Sequence, residues 1–142
     1  MEHNQSRMSK PSEVSKAIKL LFLSFSISVL FTIFYFTNQI ESPVFLIAFF
    51  IASGFTILLI LKIMQGKNWA RITYLVLFIL GIPGIIESFP SALENSFYHG
   101  LFLIVPLTIN SIALILLFKK TSSQWFISKR LILKDKSEIK KS

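Results

Sequence analysis

Cysteine is absent from the chain, which removes disulfides, thiol redox relays, thiolate metal sites and palmitoylation together. Histidine occurs only as His3 and His99, and aspartate only as Asp135. Haem held between helices needs paired histidines within them, zinc proteases need His at i and i+4 with a Glu, and intramembrane aspartyl chemistry needs two aspartates. Charge is scarce too: Asp, Glu, Lys and Arg are 15% of the residues against 53% hydrophobic ones. Mean hydropathy is correspondingly positive, at +0.65. Whole stretches of about 20 residues lack any charge, so they lack the polar face that a soluble helix must show to water.

What the chain does contain is four apolar runs, at 18–37, 44–64, 69–89 and 98–118. Each approaches the roughly 20 residues that a helix needs to cross about 30 Å of hydrocarbon. Lipid offers the backbone no hydrogen bonds, and continuous apolar runs do not alternate as barrel strands do, so the runs predict helices. Short connections at 38–43, 65–68 and 87–97 force sequence neighbours to run antiparallel. The expected fold is an all-α membrane protein with four transmembrane helices in two antiparallel hairpins. Gly81-Ile82-Pro83-Gly84 predicts a kinked or thinned third helix that a neighbour approaches closely. The first run is too long for the core of a cleaved signal peptide and ends in Phe36-Thr37-Asn38-Gln39, so it is expected to stay as an anchor.

Orientation follows from the basic residues. Arg7, Lys10, Lys16 and Lys19 flank the first run, Lys62, Lys67 and Arg71 surround the second connection, and the other eight follow Phe118. The remaining connections hold no Lys or Arg and carry Glu41, Glu87 and Glu94 instead. With four spans, all 15 basic residues therefore fall on one side, the cytoplasm. This predicts a cytoplasmic N-terminal tail (1–17), a transmembrane domain (18–118) and a basic cytoplasmic tail (119–142). The net charge of +8 belongs to span ends and tails rather than to an aromatic-interleaved basic surface, so no nucleic-acid partner is expected. An abundance of Phe, Ile and Lys suits a bacterial source, and with it the inner membrane.

No ionisable residue stands near the centre of any span, so a single-carboxylate proton carrier is missing. Uncharged polar residues recur instead. Ser24, Ser28 and Thr32 follow at intervals of four on the first helix, Ser53, Gly54 and Thr56 group on the second, and Thr108, Asn110 and Ser111 follow Pro106 on the fourth. Such stripes face protein, and interhelical hydrogen bonds are their ordinary use. Glu87, Glu94 and His99 read as solvated interfacial groups.

Two motifs lie on the cytoplasmic side. In Gly66-Lys67-Asn68-Trp69-Ala70-Arg71, Gly66 is expected to end the second helix, Asn68 to cap the third, and Trp69 with Arg71 to anchor it at the headgroups. After the fourth helix, Ser122-Ser123-Gln124-Trp125-Phe126 is expected to lay Trp125 and Phe126 into the interface, with Lys129, Arg130 and Lys134 near anionic lipid. Helical periodicity in this tail is poor, because Ile127 and Leu131 fall away from the face of Trp125, Phe126, Ile132 and Leu133. In this order the two motifs resemble those of a group of small uncharacterised bacterial four-helix membrane proteins. That resemblance implies the four-helix topology and brings no activity, cofactor or site residue with it.

No nucleophile can be paired with a base from these residues, so neither catalytic residues nor a cofactor or metal is expected. The chain is expected to be a non-enzymatic integral inner-membrane protein acting through lipid headgroups, a membrane-protein partner or copies of itself. The alternative is a small oligomeric transporter or channel, built around Ser24, Ser28, Thr32 and Asn110.

Overall fold

Four apolar runs and the basic segment after them form five helices in the computed structural model, which describes residues 9–36, 43–95 and 97–139. They are α1 (Ser12–Phe36), α2 (Pro43–Met64), α3 (Asn68–Asn95), α4 (Phe97–Phe118) and α5 (Lys120–Ile139). Pro11 offers its carbonyl to the Ser15 N–H at 3.2 Å and so opens α1. Pro43 is the first residue of α2, where a missing N–H costs nothing. Four segments, Ser12–Phe34, Leu46–Met64, Asn68–Glu94 and Phe97–Phe118, are long and apolar enough to cross a membrane. Arg7, most of the first expected connection and its Glu41 lie outside the described residues.

Three expectations change. α1 starts at Ser12 rather than at 18, because Val14 and Ala17 belong to the buried core and draw the helix back over them. α3 runs through Pro83 and Pro90 to Asn95, so the connection expected over 87–97 is almost entirely helical. Its last turns lie against the start of α4, where a Cβ added at Gly100 would stand 2.5 Å from Leu93 Cδ2 and 3.8 Å from Phe89 Cε2. The close approach expected at Gly81 and Gly84 does not occur, since a Cβ at either would meet open space.

Each of the first four helices contacts its sequence neighbours, and α1 and α4 close the ring as the most intimate pair. Their directions are opposed: Glu13 meets Lys119 at 3.6 Å near one end, while Phe31 stacks on Phe102, with centroids 4.5 Å apart, near the other. The exposed ion pair is screened by water and adds little; aromatic packing does more. α1 and α2, although consecutive, are the most loosely packed pair in the ring.

The core is off-centre. Val14, Ala17, Ile18 and Leu21 of α1 meet Leu59, Ile60 and Ile63 of α2, Ala70 of α3, Ala113 and Leu117 of α4, and Trp125 and Phe126 of α5. All of them lie toward the end of the bundle where α2 turns into α3 and α4 into α5. Further along, large side chains such as Leu30, Phe34, Ile51 and Leu80 point outward, as a bilayer allows.

The α2–α3 turn is a Schellman cap. Gly66 N–H donates to the Ile63 carbonyl at 2.9 Å and Lys67 N–H to the Lys62 carbonyl at 3.0 Å, with Gly66 at φ 82°. A Cβ at Gly66 would also lie 3.1 Å from Trp125 Cη2. Gly66→Ala is therefore expected to destabilise the protein by about 2 kcal/mol, from the left-handed backbone and the displaced indole. Gly54→Ala, with open space around it, should stay within about 0.5 kcal/mol of the parent. Unfolding in mixed micelles compares the two directly.

Candidate functional site

Helix ends leave carbonyls without intrahelical donors, and at the end of α4 three of them are met by side chains, two serine hydroxyls and a guanidinium. The Ser122 hydroxyl donates to the Leu116 carbonyl at 2.7 Å, and the Ser123 hydroxyl to the Phe118 carbonyl at 3.4 Å. Between them, the Arg71 guanidinium donates through Nη1 to the Leu117 carbonyl at 3.1 Å and to Ser123 Oγ at 3.2 Å. Its carbon also lies 4.9 Å from the centroid of the Phe118 ring and 4.6 Å from that of Phe126. One side chain of α3 thus binds the end of α4 to the start of α5.

Arg71 is only 7% exposed. The expected headgroup anchor is instead an internal clasp, in which one α4 carbonyl, the Ser123 hydroxyl and two aromatic faces surround the cation. Its Nε is buried without a partner among the described residues. Trp125 and Phe126 are corrected in the same way: at 6% and 0% exposure they pack into the core rather than into lipid. The cleft over side-chain-free Gly66 receives the indole, and Lys129 Cγ lies beside it. The Trp125 and Phe126 rings meet edge to face, 5.0 Å apart. The tail whose periodicity looked poor is a helix, with Trp125 and Phe126 inward and Ile127, Leu131 and Ile132 exposed.

Asn68 does not cap α3. Its Oδ1 is buried with no partner among the described residues, while the Lys67 carbonyl accepts from the Ala70 N–H at 3.2 Å. Trp69 is half exposed at the start of α3, next to this turn.

The second constellation lies inside the bundle. Ser24 is fully buried and donates to the Pro106 carbonyl at 3.1 Å, tying α1 to α4. One and two turns further along α1, Ser28 and Thr32 line a cavity of about 300 Å³ with Ser53 and Thr56 of α2, Tyr74 of α3 and Asn110 of α4. Phe25 and Phe49 supply apolar wall. Tyr74 Oη donates to Asn110 Oδ1 at 2.9 Å. A smaller cavity of about 170 Å³ shares Thr56 and Tyr74 with it.

All of Ser28, Thr32 and Asn110 are thereby brought together, whereas Ser24 stays at the α1–α4 seam. Thr108 and Ser111 bond to their own helix, at the Ile104 and Leu107 carbonyls. Tyr74 is a member of the site that sequence reasoning missed. A phenol within an apolar run is the signal that would have found it, since a buried hydroxyl needs a partner. Among the described residues no group of three His, Cys, Asp or Glu is placed to hold a metal, and His99 packs edge-on against Phe31 at 5.8 Å.

Arg71→Ala removes two hydrogen bonds and two ring contacts while leaving a buried carbonyl without its donor, an expected loss of about 3 kcal/mol. In a Trp69→Phe background, Trp125 emission should shift to the red as α5 loosens. Arg71→Lys should restore only part of it, because an ammonium does not reproduce the planar stack. No family model, curated protein or solved structure matches the chain.

Proposed function

We propose that the chain is a non-enzymatic, multi-pass protein of the bacterial inner membrane, with two antiparallel helical hairpins and both termini in the cytoplasm. It acts through lipid or protein partners on its cytoplasmic face, and α5 is the element that meets them. The observation that carries this is the division of α5 into two faces. Its inward side is occupied by the chain itself through Trp125 and Phe126, while Ile127 and Leu131, one turn apart, stand 53% and 62% exposed beside exposed Arg130 and Lys134.

An apolar pair rimmed by cations suits the anionic cytoplasmic leaflet, where each basic residue near the surface adds about 1 kcal/mol of attraction. The positive-inside distribution of the basic residues supports the same side for this helix. The resemblance to small four-helix bacterial membrane proteins agrees with this topology. A second reading, a small oligomeric transporter or channel, is supported by the polar cavity, to which all four spans contribute.

Ile127→Cys tests the main reading in a chain with no other thiol. In intact cells a membrane-impermeant maleimide should label it only after the inner membrane is permeabilised. Labelled with an environment-sensitive dye and reconstituted, it should shift to the blue when phosphatidylglycerol is added to phosphatidylcholine, and shift back in high salt. Labelling of intact cells, or an emission indifferent to lipid charge, would contradict the proposal.

A further inference from the structure

The cavity between the four spans has a hydrogen-bonding character that its residue names alone do not convey. Thr32 and Thr56 donate their hydroxyl protons to carbonyls of their own helices, Ser28 at 2.8 Å and Ala52 at 2.9 Å. Tyr74 gives its proton to Asn110. Each of these three oxygens has thus committed its donor and keeps lone pairs, while Asn110 keeps its Nδ2 donors because Oδ1 is the atom engaged. Ser28 and Ser53 make no side-chain bond to another described residue, so their hydroxyls are free to turn either way.

The lining is therefore rich in acceptors, supplemented by one amide donor and two adaptable hydroxyls. Among the described residues that form it there is no Lys, Arg, His, Asp or Glu. A charged ligand would have no counter-ion in this apolar setting. An acceptor-only ligand such as a quinone would leave the Thr32, Thr56 and Tyr74 oxygens unmet. Hydroxyl groups, which donate and accept from one atom, satisfy both halves of the lining. Apolar wall from Phe25 and Phe49 suits the C–H faces of such a ligand, and a volume of about 300 Å³ is at the lower end for small-molecule sites. The loosely packed α1–α2 seam borders it.

We propose that this cavity binds an uncharged polyol, either a free solute or the glycerol headgroup of a lipid, through Ser28, Thr32, Ser53, Thr56, Tyr74 and Asn110. The site requires neither transport nor the α5 surface, so it stands or falls separately from the function proposed above.

The test uses the full chain in phosphatidylcholine nanodiscs, with radiolabelled xylitol as probe and choline and decylubiquinone as comparators. Xylitol should bind saturably at one per chain, with neither comparator competing. Asn110→Leu and Thr32→Val should each weaken binding at least tenfold, while Thr108→Val, whose hydroxyl lies outside the cavity, should not. If Asn110→Leu fails to assemble by size exclusion, the isosteric Thr32→Val decides. Displacement of xylitol by monoacylglycerol, whose uncharged glycerol headgroup keeps two free hydroxyls, identifies a lipid headgroup as the natural occupant, and no displacement identifies a free solute. Absence of saturable xylitol binding, equal binding of a comparator, or full binding by Thr32→Val overturns the proposal.

Discussion

A helix that ends inside a protein must find donors for its last carbonyls, and in this chain the Arg71 guanidinium supplies one of them from a neighbouring helix. Much of the packing at the α5 end of the bundle follows from that. Bonding Leu117 and Ser123 fixes how α4 hands over to α5, and the planar cation against Phe118 and Phe126 fixes where the first turns of α5 lie. Lysine has the charge but neither the fork nor the flat face. Once Phe126 is seated, Trp125 falls over Gly66, and the positive φ that ends α2 also makes room for the indole.

This clasp explains why the buried core is concentrated at one end. Five helices converge there and exclude solvent from Phe126, Leu21, Ile60 and Ile63. Toward the opposite end, α1 and α4 remain in contact through Phe31 and Phe102, while α2 and α3 turn large side chains outward. The polar cavity opens between these regimes, where α1 and α2 separate. Hydroxyls and an amide are tolerated at that depth because most of them are already bonded to their own helix or to each other. A firmly packed end and a looser interior thus divide the molecule.

Four apolar helices were legible from hydropathy because a run of about 20 uncharged residues has few alternatives to a span. The spacing of Ser24, Ser28 and Thr32 also predicted that they face protein. What it did not distinguish was which of them meets α4 and which lines the cavity, since that depends on helix crossing. The extension of α3 to Asn95 was hidden because Glu87 and Glu94 mark the stretch after the apolar run as a connection, whereas in the folded chain Leu93 gains a seat on Gly100. Trp125 and Phe126 beside a basic stretch read as an interfacial anchor. Only tertiary contact with Gly66 and Arg71, over 50 positions away in sequence, turns them inward.

The most direct measurement of the clasp is a double-mutant cycle between Arg71→Ala and Phe126→Ala, with unfolding free energies taken in lipid bicelles. If the guanidinium and the ring act as one unit, the two changes should be less than additive, with a coupling of about 1–2 kcal/mol. Additive losses would mean that Arg71 and α5 are held independently, and that the guanidinium does not organise this end of the bundle.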